Sequence, residues 1–217
     1  MKILCISDEI DPLVYSLNAK KRFSDIDLVI SSGDLPGRYY EFIISTLNKP
    51  LLYVNGNHKG IHKSENCFNR GLMDDGSDDY FGECIDGKVI YLKKFDLIVA
   101  GIGGSMRYNT GPDQYSEKAQ RRRIARMAPT LLYNKLAHGR FVDIAVTHAA
   151  PLGINDGDDI CHRGFECFNR FMELYKPTCL LHGHMHLPDM NKRPVTEAAN
   201  GTKVINVYKS YIMEINR

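Results

Sequence analysis

The sequence predicts an α/β fold built around a largely parallel sheet, on three observations. Short apolar runs bounded by Gly and polar residues recur along the chain, which is how strands buried on both faces read. In the first half these runs are separated by helix-length spacers, the pattern of βαβ units. Five runs also stop on or just before side chains able to bind a metal. Ile3-Leu4-Cys5-Ile6 ends on Ser7-Asp8, Leu28-Val29-Ile30-Ser31 leads to Gly33-Asp34, and Leu51-Leu52-Tyr53-Val54 leads to Asn55-Gly56-Asn57-His58. Ile144-Ala145-Val146-Thr147 ends on His148, and Thr178-Cys179-Leu180-Leu181 on His182-Gly183-His184-Met185-His186. In open α/β sheets the ligand site lies beyond the carboxyl ends of the strands, so these donors are expected along one edge.

In chain order, a strand is expected over 2–7, a helix near 12–23, a strand over 27–32, a helix near 38–48 and a strand over 50–55. The Gly-, Asp-, Asn- and Ser-rich stretch 58–80 reads as a long loop beside the strand ends. Val89–Leu92 and Leu97–Ala100, flanking Lys93-Lys94-Phe95-Asp96, read as an antiparallel pair. Residues 114–138 are helical in pattern, with a break expected at Pro129, and carry Arg121, Arg122, Arg123 and Arg126 close together. A polar loop from Gly153 to Gly164 precedes a helix over Phe165–Tyr175, which stops before Pro177. Lys203–Tyr208 and Tyr211–Ile215 read as two closing strands. Cys-Phe-Asn-Arg occurs at 67–70 and 167–170, but the flanks share nothing and no repeat is inferred.

A chain of 217 residues with 43% hydrophobic composition is expected to form a single domain, 1–217, with one full core. A formal charge of +2 with 25% charged residues gives no global electrostatic case for a nucleic-acid or membrane binder. The first apolar run is too short for a signal peptide or anchor, and no segment approaches a spanning helix, so a cytoplasmic location is expected. The six cysteines, at 5, 67, 84, 161, 167 and 179, show no C-x-x-C spacing and are expected as reduced, mostly buried thiols.

Carboxylates, amide carbonyls and neutral imidazoles suit hard and borderline divalent metals. Asp8, Gly33-Asp34, Gly56-Asn57-His58, His148 and Gly183-His184-Met185-His186 stand in an order that resembles the calcineurin-like metallophosphoesterases. The resemblance spans residues 3 to 208 and implies a four-layer α/β/β/α sandwich of two mixed sheets flanked by helices. It also implies a dinuclear site of Mn, Fe or Zn type that hydrolyses a phosphomonoester or phosphodiester by metal-activated hydroxide. On that likeness Asp34 bridges the metals, Asp8 and His186 hold the first, and Asn57, His148 and His184 hold the second. His58 then protonates the leaving group or contacts the phosphate.

The sequence departs from the family at Asp8-Glu9-Ile10, where the pattern is Asp-x-His, and this weakens the first metal position unless Asp11 or Glu9 supplies a ligand. Asp11 before Pro12 also reads as a helix cap. Lys59 stands where many relatives carry an acid. Arg38, His162 and Arg163 are candidate phosphate contacts, and a small phosphate ester is the expected partner. His62 lies on the long loop facing the site, His182 reads as structural and His138 as surface. Two other readings use the same fold. One is a binding scaffold, suggested by Ile10, and the other a nuclease, suggested by the Arg121–Arg126 cluster. The sequence does not specify the oligomeric state.

Overall fold

The computed structural model describes residues 1–58 and 82–215. The expected long loop at 58–80, with Lys59, His62 and Cys67, therefore lies almost wholly outside the described residues. Two sheets form the centre. The first has five strands in the order β13-β1-β2-β3-β4, built from β1 (Lys2–Ser7), β2 (Leu28–Ser31), β3 (Leu51–Tyr53), β4 (Glu83–Cys84) and β13 (Lys209–Glu214). Its pairings are parallel except for β13, which closes antiparallel against β1 with Leu4 opposite Ile212.

The second sheet has six strands in the order β11-β12-β10-β9-β6-β5. Its members are β5 (Val89–Leu92), β6 (Leu97–Ile102), β9 (Ile144–Thr147), β10 (Cys179–His182), β11 (Val195–Glu197) and β12 (Lys203–Asn206). Strands β6, β9, β10 and β12 run parallel, while β5 and β11 are antiparallel edges. The sheets are thus mixed. A short parallel pair, β7 (Ser105–Met106) and β8 (Gln114–Tyr115), stands apart.

Three apolar layers follow from the two-residue alternation of strand side chains. Ile3, Cys5, Leu28 and Ile30 meet Val99, Ile144, Val146 and Leu181 between the sheets. Leu4, Ile6 and Val29 face the other way, onto Tyr39, Tyr40 and Ile43 of α2 (Gly37–Leu47) and Ala19 of α1 (Ala19–Arg22). On the far side, Ile98, Ala100 and Leu180 pack against Ile124, Met127 and Leu131 of α3 (Glu117–His138) and Phe168 and Phe171 of α4 (Glu166–Tyr175). The chain is a four-layer α/β/β/α sandwich, and double-sided burial is why its strands read as unbroken apolar runs.

Two sequence expectations are corrected. The helix near 12–23 shrinks to Ala19–Arg22, because Asp11 sets a turn instead: its carbonyl accepts the N–H groups of Val14 and Tyr15, and its Oδ1 accepts that of Leu13 at 2.8 Å. Pro129 does not break α3. It sits on the exposed side of the helix, whose buried stripe of Ile124, Met127, Leu131 and Asn134 holds both halves on the sheet. The two closing strands appear at Lys203–Asn206 and Lys209–Glu214, but they belong to different sheets, so Val207 and Tyr208 cross between them. Among the described residues, Cys5, Cys84, Cys161, Cys167 and Cys179 are free thiols, and no helix is long and apolar enough to cross a membrane.

Candidate metal centre

Each candidate ligand follows a strand. Asp8 comes directly after β1, Asp34 three residues after β2, Asn57 four after β3, His148 directly after β9 and His184 two after β10. The chain turns sharply there. Asp8, Asp34 and His184 sit in the left-handed region at φ 65°, 57° and 64°, a conformation that costs an L-residue about 1–2 kcal/mol. Such strain persists where the surroundings over-determine it, and here it sets Asp34 and His184 in one cluster with Asp8 on the His184 backbone.

Two glycines make the convergence possible. A Cβ on Gly56 would stand 1.8 Å from Asp34 Oδ1, and one on Gly183 would stand 1.9 Å from Ser7 Oγ and 2.4 Å from Asp8 Oδ2. Only glycine lets these turns lie against the carboxylates.

The structure brings Asp34, Asn57, His148 and His184 together. His148 Nδ1 donates to the carbonyl of Ser32 at 2.8 Å, so Nε2 is the end that faces the site. Nε2 lies 2.8 Å from Asn57 Oδ1 and 3.2 Å from Asp34 Oδ2. Asn57 is oriented in turn, since its Nδ2 donates to the hydroxyl of Tyr108 at 3.0 Å and thereby turns Oδ1 inward. His184 Nε2 donates to the carbonyl of Cys161 at 2.6 Å, leaving Nδ1 bare. Asp34, His148 and His184 each offer a ligand atom, all within 4.8 Å of one another.

This donor set fits a divalent cation. Asp34 Oδ2 is buried with no aligned hydrogen-bond donor, a costly state for a carboxylate unless a positive charge stands beside it. Burial opposes a charge on His148, but the Asp34 and Asp8 carboxylates outweigh it and lift the imidazole to about 9. Burial likewise works against the Asp34 charge, yet His148 overrules it and draws the carboxyl down to about 2. Without metal, a proton on Nε2 supplies the positive charge that the cluster demands. His184, desolvated and next to His148, falls to about 3 and stays neutral, as a ligand must. Tying the far nitrogen of each imidazole to a backbone carbonyl is how metal-binding histidines are oriented.

The remaining sequence candidates fall around this cluster. Asp8 is tied to it through the backbone: both carboxylate oxygens lie 3.0 Å from the His184 N–H, and burial raises its pKa. His186 is exposed and stacks on Tyr208 at 4.9 Å, outside the 4.8 Å group. His58 donates its backbone N–H to Asp34 Oδ1 at 3.0 Å and holds its side chain in the open. Arg38 is exposed on the first turn of α2, and Arg163 is exposed beside His162. The His162 ring lies 5.1 Å from that of His184.

Neither proposed substitute for the missing imidazole at Ile10 is free. Glu9 is held below the usual carboxylate range by the Tyr208 hydroxyl and by Lys209, whose Nζ lies 3.2 Å away. Asp11 is buried, its second oxygen bonded to Ser210. Ile10 itself packs against the apolar layer beside α2. His182 is buried and neutral, lowered to about 4 by burial, with Nδ1 donating to the Gly183 carbonyl and Nε2 facing Asn155 Nδ2 at 3.4 Å.

Tyr108, Asp159 and Tyr208 were not singled out from the sequence. None sits in a motif, and their only signal is a polar side chain on a loop next to strand ends. Arg123, by contrast, leaves the basic cluster: its guanidinium lies 2.5 Å from Asp86, donates to the Gly103 carbonyl at 2.9 Å, and covers the Tyr115 ring. Arg121, Arg122 and Arg126 remain exposed.

The family model described as calcineurin-like phosphoesterase matches residues 1–188. Among solved structures, TT1561 of Thermus thermophilus is 14% identical with a TM-score of 0.60, over 95% of this chain and 88% of that one. The Thermus thermophilus sulfate thiohydrolase SoxB, in complex with glycerol, is 12% identical with a TM-score of 0.41, over 89% of this chain and 36% of that one. No curated protein matches the chain.

Proposed function

The chain belongs to the calcineurin-like phosphoesterase family, whose members are in general metal-dependent phosphoester hydrolases, and from that premise we propose that it hydrolyses a small phosphate ester at a centre built on Asp34, Asn57, His148 and His184. One observation carries the reading: His148 Nε2, Asn57 Oδ1 and Asp34 Oδ2, which has no aligned hydrogen-bond donor, converge in a buried space whose donor set suits a divalent cation. Asp34, Asn57, His148 and His184 would hold a divalent ion of Mn, Fe or Zn type, which would supply Lewis acidity toward water and the phosphate.

The protein's own groups do the rest. Tyr108 fixes the Asn57 amide, while the Ser32 and Cys161 carbonyls fix the two imidazoles. Water is excluded from one side by the buried ends of β2 and β9. His58, pinned through its backbone to Asp34, presents its imidazole to the open side and passes a proton to the leaving oxygen. His58→Ala is expected to leave metal content near normal and cut turnover by roughly 10²-fold. The loss should shrink for substrates with good leaving groups; an equal loss for good and poor ones would remove the acid role.

A second ion is expected to bind more weakly at Asp8, Asp34 and His186, since Ile10 offers no ligand and Glu9 and Asp11 are engaged elsewhere. Ile10→His should add a tighter second step to a manganese titration. Two tight steps already present in the wild type would contradict this. Of the basic cluster that suggested the nuclease alternative, Arg123 is spent on Asp86 and Gly103, while Arg121, Arg122 and Arg126 are exposed.

Turnover of bis-aryl and aryl phosphates by manganese-loaded protein tests the reading. It fails if fully loaded protein hydrolyses neither.

A further inference from the structure

The candidate ligands His148 and His184 are the inner two of three imidazoles set in a file. Ring centroids are 4.8 Å apart between His148 and His184 and 5.1 Å apart between His184 and His162. The first two are buried, whereas the His162 side chain is 38% exposed. The third ring therefore stands where the file reaches solvent, one ring out from the candidate ligand His184. Its loop is joined to the centre through the Cys161 carbonyl, which accepts the His184 N–H at 2.6 Å.

His162 is held by contacts of its own turn. Its Nδ1 lies 2.7 Å from Asp159 Oδ2, and Asp159 is itself fixed because Oδ1 accepts the backbone N–H groups of Cys161 at 3.0 Å and of His162 at 3.1 Å. The Cys161 thiol adds a further bond to the same oxygen at 2.8 Å. Asp159, Cys161 and His162 are thus closed upon one another by their own protons. With Nδ1 turned to Asp159, Nε2 is the ring nitrogen of His162 left for another partner.

We propose that His162, oriented by Asp159, grips the phosphate group of the substrate at the mouth of the centre. This rests on the phosphoesterase reading above and adds the contact that holds the phosphate. Asp159 takes the Nδ1 end of the ring at 2.7 Å, so Nε2 is the end presented to a phosphate oxygen. Asp159 is a positioning residue, since it acts through His162.

Manganese-loaded full-length protein is titrated calorimetrically with inorganic phosphate, and kcat and KM are measured on an aryl phosphate, for wild type, His162→Gln, Asp159→Asn and the double variant. His162→Gln is expected to weaken phosphate binding and raise KM by about tenfold, with kcat much less affected and metal content and melting temperature unchanged. Asp159→Asn should move the same quantities in the same direction, and the double variant should be no worse than His162→Gln, because the two residues act as one unit. Unchanged phosphate binding in His162→Gln overturns the proposal, as does a loss that tracks released metal or a lowered melting temperature. The two readings fail separately. Wild type that binds phosphate through His162 without turnover sinks the hydrolase alone, and turnover indifferent to His162 sinks the phosphate grip alone.

Discussion

Asp34 shows how much of the centre rests on single residues. Its Oδ1 accepts the His58 N–H, its Oδ2 faces His148, and it occupies the left-handed region at φ 57°. Gly56→Ala would drive a methyl group to 1.8 Å from Oδ1 and is expected to abolish tight manganese binding, read by calorimetry, even where the protein still folds. Tyr108→Phe is a gentler test. It frees the Asn57 amide to rotate, and manganese affinity should fall by about 10- to 100-fold, the usual cost of losing a partner that orients a ligand, with melting unchanged. Unaltered affinity would mean that packing alone orients Asn57. The residues brought together in the cluster were legible in the sequence because each sits just past an apolar run whose end it marks. Tyr108 was not, since it meets Asn57 from 51 positions away on a loop without periodicity. Ile10 was legible as a gap, but the engagement of Glu9 by Tyr208 and Lys209 depends on where β13 closes the first sheet, which local pattern does not encode.

At the scale of elements, α3 separates local from tertiary control. Pro129 interrupts its hydrogen-bonding in mid-helix and gains nothing visible, being exposed. Pro129→Ala is expected to stabilise the protein by roughly 1–3 kcal/mol in chemical denaturation. No gain would show that the helix is already relaxed around the ring. On the same helix, Arg123→Ala leaves the part-buried Asp86 carboxylate with only the Gly103 N–H and should cost about 2–3 kcal/mol, while Arg122→Ala should cost almost nothing. Equal effects would contradict the inward placement of Arg123. The sequence located this helix and its basic residues but could not sort them, because Arg121, Arg122 and Arg123 differ only in which one meets the sheet. The first helix was over-read for a related reason. Its apolar residues Val14, Ala19 and Phe23 are buried, yet most of the segment reaches the core through turns set by Asp11 rather than through helix.

For the molecule as a whole, two sheets packed face to face leave their parallel strands ending together, and the candidate metal centre spans that edge. Asp8, Asp34 and Asn57 come from the first sheet, and His148 and His184 from the second. A cation bound between them would tie the two halves of the sandwich and bind only the folded chain, so chelation should lower the melting temperature by an amount that grows with the logarithm of the ratio of metal concentration to its dissociation constant. The α/β class and most strands were readable from the alternation of apolar runs and spacers, whereas the split into two sheets came only through the family resemblance. Lys203–Asn206 and Lys209–Glu214 look like neighbours in sequence and fall in different sheets.

The most direct test of the account compares wild type with Asp34→Asn after manganese loading, measuring bound metal by elemental analysis and turnover of a bis-aryl phosphate on the same samples. The substitution keeps the shape of the side chain and removes its charge. The expected result is manganese and turnover in the wild type and loss of both in Asp34→Asn, with cooperative unfolding retained. Wild type that takes up no metal under excess manganese, or Asp34→Asn that keeps both metal and activity, would contradict it.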